Sequence, residues 1–562
     1  MSPRFVDLTH GTSGLLLAFL SIQIPMLVGL IRSRARLAHL ALSPVPAVAL
    51  TLIMGIVIAL FAPLLKTLGA PPDSGPELTV AFALFVAAGY AAGRLLIRKQ
   101  SASASYYRRG AVVANAAAAS RAPPTARVAG ANGGSLRSDG ALTLAGLTVA
   151  EDDETKHFKV IGTTGTGKST AIREVLSTAL KRGDRAVIAD PDGGYLRRFY
   201  DPGRGDLILN PFECDSVKWN LLGEIASDYD VDQMARSLIT DHGDPDRSWS
   251  EYARTFFIAV TQQLRTSRIT DDREVYRLVA KAPVKELKLL LAGTAAGPFL
   301  EEGNERMFGS VRSTASSAVR VLEYTTRQEG TPFSIRQWVR LGAARRAGGQ
   351  GGVLFFPYQA GEIAALRSII SAWMRIAIFE AMGRDEGDQR LWFVVDELDA
   401  LGEIDGLKDA LSRLRKFGGR CILGFQSIGQ VSGTYGRSVA DTIVENCGNT
   451  LILRCSGSER GGTSEFASKL IGQQQVVHIT RSRTRRPAEW LPSTTTSEHL
   501  SIEPAVMASE IERLPDLEGF LKFASIPDWR RVRLTPVTYP TVARSRPGSV
   551  AGGPAASAGA DH

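Results

Sequence analysis

The chain has 562 residues, 44% of them hydrophobic, which is too long for one ordinary core and suits two or three domains with some membrane content. Its formal charge is +9, but residues 1–140 hold 13 Lys/Arg against four Asp/Glu, so the whole excess sits there; net charge is thereby excluded as evidence for nucleic acid and points to a membrane surface at the N-terminal side. The four cysteines, Cys214, Cys421, Cys447 and Cys455, form no C-x-x-C pair, and three lie in apolar stretches, so a disulfide scaffold and a zinc site are both disfavoured.

Residues 15–31 are a 17-residue apolar stretch containing Gln23 and Pro25, compatible with a span, an interfacial segment or a buried helix. Residues 41–65 form an uncharged run of 25 residues, predicted to span over about 44–65. A second span is predicted over 79–97, its one charge, Arg94, lying near an end where it can snorkel. Arg32, Arg34 and Arg36 precede these spans and Arg98, Lys99, Arg108 and Arg109 follow them, while the loop holding Pro71 and Pro72 has only Lys66 against Asp73 and Glu77. The positive-inside rule therefore places both outer flanks in the cytoplasm.

Residues 101–140, rich in Ala, Ser, Gly and Arg, read as a flexible basic linker, with a strand pattern over 106–114. Beyond it, short bounded apolar runs at 158–161, 186–189, 353–356, 391–395, 421–425 and 450–453 read as buried parallel strands alternating with helices. Helix-like spacing over 228–327 interrupts that rhythm and predicts an all-α insert over about 225–330, dividing an α/β domain into 141–224 and 331–540. Residues 541–562 are Gly/Ala/Ser/Pro-rich and expected to be disordered.

Gly162-Thr163-Thr164-Gly165-Thr166-Gly167-Lys168-Ser169 matches G-x-x-x-x-G-K-[ST] between a strand and a helix. Such a loop, with Thr170 behind it, wraps phosphates with backbone N–H groups at a helix N-terminus; Lys168 reaches the β/γ-phosphates and Ser169 ligates Mg²⁺. The apolar strand ending in Asp396-Glu397 supplies a carboxylate to hold Mg²⁺ through water, Asp396, and one to polarise the attacking water, Glu397. Gln426 ends the following strand, either as a γ-phosphate sensor or as a turn-forming polar residue. Arg413, Arg415 and Lys416 crowd the end of a helix bearing Ile404, Leu407, Leu411 and Leu414, either complementing its dipole or providing an arginine finger for a neighbouring subunit. Asp190-Pro191-Asp192-Gly193 reads as a sharp turn at the sheet's edge. Arg481, Arg483, Arg485 and Arg486 read as a basic loop, solvated or touching phosphate.

The ordered set His157-Phe-Lys-Val-Ile161, the P-loop, Arg182-Gly183-Asp184-Arg185, Asp190-Pro-Asp-Gly193, Asp206-Leu-Ile-Leu-Asn-Pro211, Trp219-Asn220, Ile370-Ser-Ala-Trp373, Asp396-Glu397-Leu398, Arg415-Lys-Phe-Gly-Gly419, Gly424-Phe-Gln-Ser427 and Glu510-Ile-Glu-Arg-Leu-Pro-Asp-Leu517 resembles the coupling proteins of type IV secretion and conjugation, the TraD/TrwB group. The resemblance covers roughly 142–540. It implies a RecA-like P-loop ATPase domain with an inserted all-α domain behind a transmembrane helical anchor in the bacterial inner membrane, the ATPase facing the cytoplasm. It implies ATP and Mg²⁺ as cofactors and a homo-hexameric ring. It implies as partners single-stranded and duplex DNA, a relaxase and the type IV secretion channel. Arg415 falls on the family's proposed finger position, Gln426 on its sensor, and Lys156 where a relative carries a nucleotide-contacting Arg. Two alternatives stay open. One is an FtsK/HerA-like translocase of duplex DNA, although its winged-helix module has no counterpart pattern after Leu517. The other is a nucleotide-regulated docking platform for relaxase or effector proteins.

Overall fold

The computed structural model describes residues 12–32, 37–67, 75–96, 104–115, 141–240, 243–344, 352–383, 390–459, 461–484 and 493–543. Most of the 101–140 linker, the tail beyond 543, the Pro71-Pro72 turn, Arg34, Arg36, Arg98, Lys99, Arg485 and Arg486 lie outside these residues. The chain divides into two compact units, residues 1–107 with 476–501, and residues 108–475 with 502–562.

The first unit is built on three apolar helices, α1 (Thr12–Arg32), α2 (Pro44–Thr67) and α3 (Gly75–Leu96). The stretch left open by sequence is thus a continuous 21-residue helix. Two windows, Gly14–Arg32 and His39–Val57, are each long and apolar enough to cross a membrane, with mean hydropathy 2.2. Gln23 does not interrupt α1 because its side-chain amide is buried and donates to Ser43 Oγ at 2.8 Å. The glycines of α3 explain its pairing. A Cβ on Gly89 would lie 2.4 Å from the Ile22 carbonyl oxygen, and one on Gly93 2.3 Å from that of Met26. Gly89-x-x-x-Gly93 therefore lets α1 and α3 touch backbone to backbone. Because both partners advance by four residues, α1 and α3 run parallel. The unit also holds most of a three-stranded sheet ordered β1–β10–β11, from β1 (Ala104–Gly110), β10 (Gln473–Thr484) and β11 (Ser493–Pro504). Arg481 and Arg483 consequently lie on a strand, where the sequence pattern suggested a loop.

The second unit is organised by a ten-stranded sheet. Its strands are β2 (Val113–Asn115), β3 (Phe158–Ile161), β4 (Arg185–Pro191), β5 (Leu207–Ile208), β6 (Val353–Tyr358), β7 (Leu391–Val395), β8 (Gly419–Phe425), β9 (Asn449–Ile452), β12 (Glu518–Lys522) and β13 (Trp529–Arg533), in the order β2–β13–β12–β9–β3–β8–β7–β4–β6–β5. The six apolar runs read from sequence are the six contiguous parallel strands from β9 to β6. Their alternating residues feed two cores. Phe158, Val160, Ile188 and Trp392 pack with Ile172, Val175 and Leu176 of the helix α4 (Lys168–Lys181). Ile161, Val187 and Phe393 face the other way, toward Ile369 and Trp373 of the helix α9 (Ile363–Met382). This is an α/β P-loop architecture with both sheet faces covered.

Between β4 and β5 lies the short α5 (Leu196–Phe199), and between β5 and β6 the chain is predominantly helical, including α6 (Asp228–Leu238), α7 (Gly243–Thr266) and α8 (Glu305–Ala318). Its two ends are clasped. Lys218–Trp219 pairs with Pro332–Phe333, and the buried Glu224 carboxylate accepts from Trp219 Nε1 at 3.1 Å, Ile335 N at 2.6 Å and Ser334 Oγ at 3.0 Å. The Trp219-Asn220 motif therefore sits at the neck of this helical segment.

A buried ionic network fixes the N-terminal edge of the sheet. Arg182 donates to both oxygens of Glu154 at 2.7 Å and to Asp184, while Arg420 Nε donates to Glu154 at 2.9 Å and Trp392 Nε1 to Asp184 at 2.8 Å. Arg182-Gly183-Asp184 in the sequence is thus a strand-edge brace. Removing one partner leaves an uncompensated buried charge. Glu154→Leu is expected to lower stability by about 3–5 kcal/mol, read by chemical denaturation, and the further change Arg420→Met to recover part of that loss.

Candidate active site

Parallel pairing brings the functional residues to one edge. β3, β7 and β8 are adjacent, and each ends where a functional residue begins: Gly162 after β3, Asp396 after β7 and Gln426 after β8. The loop 162–167 turns there because two of its glycines take the left-handed region, Gly165 at φ +79° and Gly167 at φ +116°. Gly167 caps the N-terminus of α4, so the loop's amides and the helix dipole face the same space. Behind the loop, Thr166 is buried and its hydroxyl donates to Thr163 O at 2.7 Å, while Leu517 N donates to Thr166 O at 2.9 Å. Thr170 is half-buried in the first turn of α4.

Lys168 is buried and folds its ammonium back onto Gly162 O at 2.7 Å and Thr163 O at 3.3 Å. Burial lowers its pKa, opposed by the charges of Asp396 and Glu397. Ser169 Oγ donates to Asp396 Oδ2 at 2.6 Å. A second donor reaches the same oxygen, the Tyr195 hydroxyl at 2.8 Å. Asp396 Oδ1 and Asp399 Oδ1 are buried without a protein partner. Gln426 joins the two sides of the site: its amide nitrogen donates to Glu397 Oε1 and its carbonyl accepts from Thr164 Oγ1 at 2.9 Å. The structure thus brings Lys168, Ser169, Asp396, Glu397, Gln426 and the loop together.

Arg415 is elsewhere. The helix α10 (Leu407–Leu414) stops one residue before it, and Arg415–Phe417 form a 3₁₀ turn that leads into β8. Arg415 and Lys416 are exposed at the N-terminal edge of the sheet, one strand length, about 20 Å, from Gln426. Lys156 precedes β3 at that same edge and donates to Asp153 at 2.8 Å.

The site is strongly acidic. Burial pushes Asp190 up to about 7, although Tyr195 N and Leu196 N donate to its two oxygens at 2.9 and 2.7 Å. Burial and then the charges of Asp399 and Asp396 raise Glu397. Among the described residues no three His, Cys, Asp or Glu side chains are arranged to hold a metal alone. The surplus of carboxylate over the single ammonium of Lys168, with a buried carboxylate oxygen left unpartnered, suits a divalent cation that arrives with phosphate ligands of its own. Tyr195, Asp190 and Asp399 were missed by sequence reasoning. Asp190 carried a signal in its turn motif; Tyr195 carried none, because its partner lies 201 residues away.

Residues 141–535 match the family described as the type IV secretion-system coupling protein DNA-binding domain. The coupling protein TraD of Escherichia coli K12 is 29% identical over 393 residues, which are 69% of this chain and 54% of TraD, so the chain spans about half the length of that curated relative. The plasmid coupling protein TrwB in complex with the ATP analogue ADPNP has 28% identity and a TM-score of 0.66, covering 80% of this chain and 99% of that one. TrwB in complex with ADP and Mg²⁺ gives a TM-score of 0.65 at 28% identity, covering 79% of this chain and 97% of that one.

If Glu397 acts as a base it must be ionised, and its raised pKa would place the acid limb of the pH–rate profile above the ordinary glutamate range. Turnover of a phosphoanhydride here should fall as pH drops through that raised value. Asp399→Asn removes one of the charges that raises it and should move the limb to lower pH. A limb that stays in place would dissociate Asp399 from the ionisation of Glu397.

Proposed function

The chain belongs to the type IV secretion-system coupling proteins, and from that premise we propose a membrane-anchored ATPase that translocates DNA and couples its relaxase-bound end to a conjugation channel. The observation that carries this reading is the convergence of Lys168, Ser169, Asp396, Glu397 and Gln426 on three adjacent strand ends. TrwB in complex with ADPNP, and with ADP and Mg²⁺, supports ATP and Mg²⁺ as the ligands.

Residues 162–170 would hold the phosphates, and Ser169 with Asp396 the cation. Mg²⁺ would supply charge neutralisation on the phosphate oxygens. Lys168 exchanges its two carbonyl acceptors for phosphate oxygens. Glu397 orients a water and accepts its proton at a carboxylate oxygen. Gln426, bonded to both Thr164 and Glu397, ties the base to the loop that senses the phosphate. Arg415 lies too far away to act in its own subunit, which supports a ring, hexameric by the family resemblance, in which it serves the neighbour's site.

Where the sequence pattern predicts two spans, at 44–65 and 79–97, we read three: α1 and α2 hold the windows long and apolar enough to cross a membrane, and α3 holds a shorter apolar stretch, Phe82–Arg94. If α1 and α3 both cross the bilayer, their parallel packing makes them cross in the same direction. Residues before Thr12 then lie on the far side, while Arg32, Arg34 and Arg36, and separately Arg98 and Lys99, stay with the ATPase in the cytoplasm.

Glu397→Gln should bind ATP and retain it uncleaved, whereas Lys168→Ala should bind it weakly. Arg415→Ala should lose about 10³–10⁵ in turnover and Lys416→Ala little. Verified mixed rings of Arg415→Ala and Glu397→Gln subunits should regain activity at interfaces where both parts are intact. Equal losses at Arg415 and Lys416, or no recovery in mixed rings, would return Arg415 to a helix-end cation. For the anchor, a reporter active only outside the cytoplasm should work when fused ahead of Thr12 and at Pro72, and fail at Arg109. A silent fusion ahead of Thr12 would return α1 to the inner interface.

A further inference from the structure

Asp396 receives two hydrogen bonds on one oxygen and none on the other. The residue is buried, so neither oxygen is free to exchange partners with bulk water. Ser169 is one of the donors, and the proposed function asks its hydroxyl to turn a lone pair toward the cation. The second donor, the Tyr195 phenol, is not asked to do anything else. It is itself fully enclosed, at 1% exposure.

Three features hold Tyr195 where it is. Its backbone N–H, and that of Leu196, are taken by the two oxygens of Asp190. Asp190 is the penultimate residue of β4 and follows Ala189, which pairs with Val395 of β7; Asp396 follows Val395, so the two residues stand side by side. Gly193, at φ +62°, turns the chain between Asp190 and Tyr195, and Gly193 N closes that turn on Asp190 O at 3.3 Å. The Arg173 guanidinium lies 5.8 Å from the ring centroid. Asp190-Pro-Asp-Gly193 is thus a bracket whose product is one phenol hydroxyl delivered to the Asp396 carboxylate.

We propose that Tyr195 is a positioning residue for the divalent-cation site, pinning Asp396 by Oδ2 so that Oδ1 stays turned toward a cation-bound water. The carboxylate can otherwise rotate and exchange its two oxygens, and each exchange takes the unpartnered oxygen away from the cation. Outer partners that orient a ligating carboxylate are worth about 10- to 100-fold in metal affinity. The inference rests on Ser169 and Asp396 being the cation site.

The test is a Mg²⁺ titration of the full-length protein in detergent, read as binding of a fluorescent ADP and, separately, as the Mg²⁺ dependence of ATP hydrolysis. Tyr195→Phe keeps the buried ring and removes only the hydroxyl. It should leave metal-free ADP binding unchanged and raise the half-saturating Mg²⁺ concentration about 10- to 100-fold, with turnover recovered at high Mg²⁺. Asp190→Asn, which loosens the bracket without touching the phenol, should shift the same midpoint in the same direction, and it carries the test if Tyr195→Phe fails to fold. The double variant Tyr195→Phe/Asp396→Asn should lose no more than Asp396→Asn alone, because the phenol acts through that carboxylate. Equal weakening of metal-free and metal-loaded binding would make Tyr195 a packing residue and overturn the proposal. So would an unshifted midpoint in Tyr195→Phe beside a shifted one in Asp396→Asn. An unshifted midpoint in Asp396→Asn as well would overturn the cation-site reading, and this inference with it.

Discussion

The site depends on the parallel register of the central strands. Val395 pairs with Ala189 on one side and Leu423 on the other, and Ile161 pairs with Phe425 and Ile452. The next residues, Gly162, Asp396 and Gln426, must then leave the sheet at one edge, and Asp190, still within β4 and paired with Pro357, stands beside them. Gly424 makes the closest of these approaches possible: a Cβ there would lie 2.3 Å from Asp396 O. Just beyond it, Leu398 N donates to Gly424 O at 2.9 Å, which prolongs the pairing past β7 and orients the segment that carries Glu397. A one-residue slip of any one of these strands would turn its own side chains to the opposite face and carry its terminal group out of line with the others.

The two edges of the sheet carry opposite electrostatic designs. At the N-terminal edge, Arg182 and Arg420 are matched against Glu154 and Asp184, with each carboxylate satisfied by several donors. At the C-terminal edge, Asp396, Glu397 and Asp399 share one buried ammonium, that of Lys168, and Asp190 has the charge of Arg197 near it. Burial raises Asp190 and Glu397 because nothing in the chain fully compensates their charge. The first edge is arranged to be stable as it stands. The second stores unfavourable charge that a cation and its phosphate ligands would relieve, and strain kept at one place and compensated elsewhere is how functional sites are commonly built.

The legible part of this protein is the part encoded locally. Six buried strands showed as bounded apolar runs, and the loop from Gly162 to Ser169 showed as a motif because its glycines, lysine and serine fall within eight consecutive positions. Asp396 and Glu397 were legible as acids ending an apolar strand. Long-range placement was not. The sequence around 473–504 is dominated by polar and basic residues, and its apolar alternations, Val477 with Ile479 and Leu500 with Ile502, are too short to mark a strand pair, so Arg481 and Arg483 looked like loop residues. Arg182-Gly183-Asp184 looked like part of a functional signature, but its work is a brace that closes on Glu154 and Trp392. Gln23 and Pro25 made α1 ambiguous because sequence cannot show that Ser43 takes up the glutamine amide, or that Gly89 and Gly93 bring a second helix against it. Tyr195 was invisible for the same reason: a hydroxyl acquires meaning only from the carboxylate it meets.

The division between the edges also bears on assembly. The groups brought together with the phosphate loop, Lys168, Ser169, Asp396, Glu397 and Gln426, are at the C-terminal edge. Two pairs of arginines near the opposite edge differ. Arg182 and Arg420 are committed to buried carboxylates and cannot be withdrawn without leaving those charges alone. Arg413 and Arg415, with Lys416 beside them, are exposed at the end of α10, whose inner face is fixed by buried Leu407, Leu411 and Leu414. A short helix packed along one stripe, ending in a tight turn, presents those cations outward from a rigid base. A finger needs both properties: it must reach beyond its own subunit and must not have to order itself when it arrives. On the proposed reading, a subunit by itself is therefore an incomplete enzyme by geometry, and an anchor that confines subunits to one membrane favours the encounter that completes it.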